Sequence, residues 1–187
     1  MAEVKNNIVT QGVSGMLGDM IVFRQVNGKT IMAVKPKQSD KKSEKQLARQ
    51  EHFQSAVIYG KSSAANPALK AEYGSGVNEK LNSPYMVAVA DFLNAPSIQE
   101  VNLKEYTGNV GDRITIRVTD DFKVAEVKVA IHNPDGTLVE EGNAVQALAG
   151  FDWTYTATVK NVSLDGDRIT ITAYDMPGNE TTEEKSL

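Results

Sequence analysis

The sequence has no cysteine and only two histidines among its 187 residues. Without cysteine there are no disulfides, thiol nucleophiles, cysteine-ligated zinc sites or iron–sulfur clusters. His52 and His132 lie far apart along the chain, so histidine-based metal sites and catalytic triads are poorly supplied. Paired acidic residues do occur, but they fall in predicted turns, where carboxylates are solvated rather than held across a cleft. We therefore expect a protein that is not an enzyme and that carries no resident cofactor.

Long apolar runs are also missing, and the longest is far short of the roughly 20 residues that a membrane-spanning helix needs. We expect no membrane insertion. A secretory signal has a basic start followed by an apolar stretch. The first seven residues, MAEVKNN, do not show this pattern. The expected location is the cytoplasm, and the alternatives are export by a signal-less route or after processing.

Charge is unevenly divided along the chain, whose net charge is −4. Residues 1–96 hold 12 basic and 8 acidic residues, a net +4, whereas residues 97–187 hold 8 basic and 16 acidic residues, a net −8. Either two domains simply differ in surface composition, or unlike ends of neighbouring copies attract one another. We predict two domains with these bounds, 1–96 and 97–187.

A hairpin is the strongest local signal in the first domain. Asn27-Gly28 lies between two strand-forming runs, and this pair favours the two-residue turn of a β-hairpin. Counting outward from the turn, both faces of the ribbon are largely apolar, and an isolated hairpin is marginal in water. We therefore predict that the ribbon contacts a neighbouring copy. The predicted assembly interface is Ile21, Val22, Phe23, Ile31, Met32 and Val34.

Three helix starts follow the hairpin, at Ser43 with Gln46, at Asn66-Pro67 and at Ser83-Pro84. Ala95-Pro96 closes the third helix. The first domain is therefore predicted to be an α+β module, a β-hairpin plus about three short helices.

The basic segment 29–49 is the candidate for contact with nucleic acid, because lysines neutralise phosphates. It lacks the interleaved aromatic residues that stack on bases, and the whole chain is acidic, so a solvated linker is the favoured reading. The candidate phosphate contacts are Lys35, Lys37, Lys41 and Lys42.

From Ser97 onward apolar residues recur at every second position, as in Ile114, Ile116 and Val118. Further runs of this kind end in turn-forming residues such as Asn133-Pro134-Asp135-Gly136. Short strands at this spacing predict an antiparallel, all-β sandwich, with Trp153 in its core.

Two family resemblances add to this reading. Residues 98–187 resemble a bacterial immunoglobulin-like domain, most specifically in ITITAYDMPGN, a strand that runs into Asp-x-x-Gly-Asn at 175–179. Such domains serve as spacers, adhesive modules or stalk units, and no catalytic residues come with the resemblance. The first half is similar to a group of uncharacterised bacterial proteins that open with a segment like GVSGMLG, then a hairpin and a helix. That resemblance implies no activity.

Calcium is the one metal that the second domain suggests. Loop carboxylates would gather at one end of a sandwich, although their spacing matches no EF-hand and turn formation alone also explains them. The candidate ligands are Asp120, Asp121, Asp165, Asp167 and Asp175.

The sequence thus predicts a non-catalytic structural protein that self-associates through its N-terminal ribbon into an oligomer or filament. Two alternatives stay open. One is a monomeric module that binds carbohydrate or protein through sandwich loops. The other is a nucleic-acid-associated protein that uses the basic segment.

Overall fold

The computed structural model describes residues 2–3, 10, 12–26, 28–35, 42–148 and 150–187. Within these residues the chain forms three four-stranded sheets and three helices, a predominantly β fold. By compactness it divides into two units, Met1–Leu47 and Ala48–Leu187. The boundary predicted after Pro96 is a different division and stays a prediction.

The first unit contains one antiparallel sheet. Its strands are β1 (Ala2–Glu3), β2 (Gly15–Leu17), β3 (Ile21–Val26) and β4 (Lys29–Val34), in the order β1-β4-β3-β2. Val26 pairs with Lys29, and Gly28 has a φ of 75°, the left-handed conformation that a tight hairpin turn requires. The predicted hairpin is therefore confirmed, although Asn27 lies outside the described residues.

The three helices begin where the sequence predicts. They are α1 (Glu44–Ala65), α2 (Pro67–Gly74) and α3 (Pro84–Leu93). At the start of α1 the Gln46 amide donates to Ser43 Oγ, and the Ser43 amide donates to Gln46 Oε1, a reciprocal capping box. Asn66 and Ser83 accept hydrogen bonds from the first amides of α2 and α3.

Helix α1 has 22 residues, longer than the short helices predicted. Helix α1 continues through Gly60. At this position the backbone of α1 lies so close to α3 that a residue without a side chain is favoured. A Cβ at Gly60 would lie 2.6 Å from Val89 Cγ2 and 3.0 Å from Tyr85 Cε2. No helix in the described part of the chain is both long and apolar enough to cross a membrane.

Two further sheets follow in the second unit. Their strands are β5 (Ser97–Asn102), β6 (Arg113–Thr119), β7 (Val124–His132), β8 (Leu138–Asn143), β9 (Val145–Gln146), β10 (Asp152–Thr156), β11 (Arg168–Asp175) and β12 (Glu180–Ser186). The strand orders are β5-β6-β10-β9 and β12-β11-β7-β8, and all pairings are antiparallel.

One core lies between these two sheets, because each strand turns alternate residues inward. Ile116 on β6 and Ile171 on β11 are wholly buried, and they belong to different sheets but to the same apolar cluster. Trp153 is buried in this core, as predicted. A shared core between two antiparallel sheets is consistent with a β-sandwich. The outer strand β12 is different, since its side chains are mostly polar, with charges at Glu180, Glu183, Glu184 and Lys185.

A second, smaller core joins the helices to one end of these sheets. Tyr73 of α2 and Val87 of α3 are buried there, and Phe122, from the loop after β6, packs against them with Met176, from the turn after β11. The ends of β6 and β11 therefore meet helix α3, and the wholly buried Asp91 lies at this junction.

Candidate functional site

Three aspartates from different elements meet at the helix–sheet junction, and we call them the carboxylate cluster. Asp91 lies on α3, Asp120 follows β6, and Asp175 ends β11. Each offers one oxygen that lies within 4.8 Å of the others. Asp120 and Asp175 belong to the candidate calcium ligands predicted from sequence, whereas Asp91 does not.

Asp91 is not among the predicted ligands, although its position in the sequence carries a signal. It follows Val87 and Ala88 by four and three residues, so it lies on the same face of α3 as these buried residues. A single acidic residue on the buried face of an otherwise apolar helix needs a partner, because burying an unpaired carboxylate is costly.

The local chain around Asp120 and Asp175 fixes one side of each carboxylate. Asp120 Oδ2 accepts hydrogen bonds from the amides of Phe122 at 3.3 Å and Lys123 at 3.0 Å. Asp175 Oδ1 accepts from the amides of Gly178 at 2.8 Å and Asn179 at 2.6 Å. The Asp-x-x-Gly-Asn segment thus forms a turn closed by its own first residue.

Asn179 ties this turn to the end of helix α3. Its Nδ2 donates to Asp175 Oδ2 at 2.7 Å, to the Phe92 carbonyl at 3.1 Å and to the Asp91 carbonyl at 3.3 Å. Since the last carbonyls of a helix lack partners inside the helix, the Asn179 side chain satisfies groups that α3 leaves open.

Asp91 is the most deeply placed member of the carboxylate cluster, with 0% of its surface exposed. The Tyr73 hydroxyl donates to its Oδ2 at 2.7 Å. Oδ1 of Asp91 and Oδ1 of Asp120 are both buried, and no other described residue donates a hydrogen bond to either atom. Burial raises the pKa of Asp91 to about 8, and the nearby Asp120 carboxylate adds to this rise.

Burial also raises the pKa of Asp175, which is 3% exposed, while the bonds from Asn179 and Gly178 act in the opposite direction. No lysine or arginine of the described chain forms an ion pair with the carboxylate cluster. The nearest basic residue in sequence, Lys123, pairs instead with Glu72 at 2.7 Å. The cluster is thus a largely buried group of three carboxyl side chains without a basic partner among the described residues.

The other candidate ligands lie elsewhere. Asp121 is exposed and accepts a hydrogen bond from Asn94 Nδ2 at 2.6 Å. Asp165 is exposed, and Asp167 is buried with its Oδ2 bonded to Asn161 Nδ2 at 2.6 Å. Both precede β11, whereas Asp175 ends it, so the strand separates them from the carboxylate cluster.

The predicted assembly interface forms a second candidate site, in the first unit. Ile21 pairs with Val34 and Phe23 pairs with Met32, which is the register that counting outward from a two-residue turn at 27–28 gives. Met32 and Val34 are exposed, and the other four predicted residues are half-buried. Three more exposed apolar residues border the same sheet. We call the whole set the ribbon surface: Met16, Leu17, Met20, Ile21, Val22, Phe23, Ile31, Met32 and Val34.

Little covers this sheet within its own unit. Thr30, at 4% exposure, is the only buried residue among the described side chains of the first unit. Its Oγ1 accepts hydrogen bonds from the Gly12 amide and from Gln25 Nε2. The one buried side chain described in this unit is therefore polar and does not form an apolar core. A cavity of about 260 Å³ in the same unit is lined mainly by apolar residues, among them Val13 and Leu17.

An exposed apolar segment also occurs in the second unit, around the connection between β9 and β10. Val145, Leu148 and Phe151 are all exposed there, and we call these three residues the β9–β10 tip. Strand β9 is an outer strand of its sheet. Its free backbone groups lie next to uncharged, apolar side chains.

The candidate phosphate contacts are only partly described. Lys37 and Lys41 lie outside the described residues. Lys35 forms an ion pair with Asp19 at 2.9 Å, and Lys42 is exposed.

Comparison with known proteins gives no match to a family model, to a curated protein or to a solved structure.

Proposed function

We propose that this chain is a non-catalytic structural protein that self-associates through the ribbon surface into an oligomer or filament. The observation that carries the proposal is the exposure of apolar side chains on both faces of the first sheet. Leu17 is 65% exposed and Val34 is 80% exposed. Both belong to one face, whereas Met16 pairs with Val22 on the other.

Exposed apolar area of this kind marks an interaction surface. Fully burying a Leu, Val or Met side chain contributes about 1.5–3 kcal/mol relative to leaving it in water. The first unit has too few residues to bury this sheet alone, since small units bury a lower fraction of their surface. A second copy of the chain supplies the missing cover without any other partner.

Charge supports contact between unlike ends of two copies. Residues 1–47 contain eight basic and four acidic residues, a net +4, while residues 48–187 contain twelve basic and twenty acidic residues, a net −8. Opposite charges steer the two units of different copies together. Such a head-to-tail contact uses two different surfaces, so it repeats into a ring or an open filament.

The β9–β10 tip is the receiving surface that fits this arrangement best. It combines exposed apolar side chains with the outer strand β9, so it offers both apolar contact and free backbone groups for strand addition. The rest of the second unit acts as a spacer of immunoglobulin-like type. The shared core between two antiparallel sheets and the Asp175–Asn179 turn support that assignment.

Light scattering coupled to size-exclusion chromatography tests the proposal. The full chain should show a mass that rises with protein concentration and falls as salt is added, because screening weakens the steering charges. Electron microscopy of the concentrated sample should show rings or filaments. A single monomeric mass at every concentration and at low salt would rule the proposal out.

A further inference from the structure

The carboxylate cluster brings three carboxyl groups together, and among the described residues no lysine or arginine forms an ion pair with them. Asp91 is fully buried and Asp175 almost so, and among the described residues no basic side chain pairs with either. An isolated buried carboxylate is costly, and several held together are costlier still. Either a bound cation or a shared proton has to compensate them in the folded protein.

Asp91 and Asp120 each have one carboxyl oxygen that could bind a cation. The Tyr73 hydroxyl occupies Asp91 Oδ2, and main-chain amides occupy Asp120 Oδ2. These bonds leave Oδ1 of Asp91 and Oδ1 of Asp120 buried with no donor from any other described residue, so the two carboxyl groups have only each other there. Buried polar atoms without partners are rare in folded proteins, and a bound ion is one of the standard explanations.

We propose that Asp91, Asp120 and Asp175 form a binding site for one hard divalent cation, Ca²⁺, which links helix α3 to the ends of β6 and β11. Carboxylate oxygens are the ligands that Ca²⁺ prefers, and its flexible coordination suits a site assembled from three separate elements. Mg²⁺ fits less well, because it demands near-octahedral geometry and releases its water reluctantly.

The site is held in advance by contacts that do not use the free oxygens. Tyr73 also bonds to Tyr59 at 2.8 Å, so the hydroxyl that positions Asp91 is itself fixed between α1 and α3. Asn179 holds Asp175 and the end of α3 together. Supporting bonds of this kind orient the ligands of a metal site before the ion arrives.

Thermal unfolding of the full chain, first treated with EDTA and then titrated with CaCl₂, tests the proposal. Sites with few charged ligands bind Ca²⁺ with a Kd on the order of 10⁻⁴–10⁻³ M, so about 10 mM Ca²⁺ should raise the Tm by about 3–10 °C. Sodium chloride of matched ionic strength should not. Isothermal titration calorimetry should give one Ca²⁺ per chain, and Mg²⁺ should produce a smaller Tm shift.

Three variants locate the ion. Asp91→Asn and Asp120→Asn should each weaken Ca²⁺ binding at least about tenfold, because each removes a charged ligand. Asp165→Asn makes the same chemical change at an exposed aspartate outside the cluster, so it should bind as the wild type does. Asp120 is only half-buried, so its variant keeps the test decisive if Asp91→Asn does not fold.

Several results would overturn the proposal. One is a wild-type Tm that does not respond to Ca²⁺, above all if Asp91→Asn then melts higher than the wild type. In that case Asp91 and Asp120 share a proton rather than a metal. Another is Ca²⁺ binding that survives in both cluster variants, which would place the ion elsewhere. An equal response to Mg²⁺ would refute the assignment to Ca²⁺.

Discussion

Replacing Val34 with aspartate should break self-association while leaving the fold intact. Val34 ends β4 and is 80% exposed in the single chain, so the substitution removes little that stabilises the monomer. If a neighbouring copy covers this side chain, the variant loses about 1–2 kcal/mol of apolar burial. Dehydrating the new carboxylate adds at least about 1–2 kcal/mol. Together these costs predict a Kd about 30- to 700-fold weaker.

Sedimentation velocity over a wide concentration range measures that change directly. The matched control is Val162→Asp, since Val162 is 90% exposed but lies in the second unit, away from the ribbon surface and the β9–β10 tip. The control should assemble as the wild type does, and both variants should melt close to the wild type. Equal association of Val34→Asp and wild type would show that the ribbon surface is not the contact.

Three further substitutions test the fold around the sites. Asn179→Ala leaves the Phe92 carbonyl without its donor and should lower the free energy of unfolding by about 1–3 kcal/mol, measured by urea titration; a change near zero would mean that Asn179 does not tie the turn to α3. Ile116→Ala removes a wholly buried side chain and should cost about 2–5 kcal/mol in the same assay; a cost below that range would argue against a shared core. The amide of Asn109 donates to Asp112 and lowers the pKa of that carboxyl, so its stabilising effect is present above the unfolded pKa and is lost as pH falls through the lower, folded value. Asp112→Asn should therefore flatten the decline of Tm with pH on the acid side, and an unchanged slope would contradict this.

Much of the local structure could be predicted because the signals are short-range. The Asn27-Gly28 pair set the register of the hairpin, since a two-residue turn leaves one pairing for the strands on either side. The caps at Ser43, Asn66 and Ser83 identified the three helix starts, because each side chain bonds to amides of the following turn. Period-two alternation likewise predicted the four inner strands of the second unit, β6, β7, β10 and β11.

The carboxylate cluster was harder to predict, because its members are distant in sequence and meet only after helix α3 packs on the sheets. Asp120 and Asp175 were expected at the end of a sandwich, but Asp165 and Asp167 have the same local appearance. Asp165 and Asp167 lie before β11, whereas Asp175 lies at its end. Which end of β11 meets helix α3 depends on strand direction and topology, which the sequence pattern does not show. Asp91 was not predicted as a ligand. The sequence shows that it shares the buried face of α3 with Val87 and Ala88, but it does not show which elements cover that face.

The charged outer strand β12 has a consequence for the form that the proposed assembly would take. An edge strand with unpaired backbone groups can pair with the edge of another sheet. Charged side chains on the edge strand commonly prevent this aggregation. The edge strand β12 carries four charged residues, Glu180, Glu183, Glu184 and Lys185. The edge strands β2 and β9 carry none. We therefore expect fibres one molecule wide that lengthen without bundling.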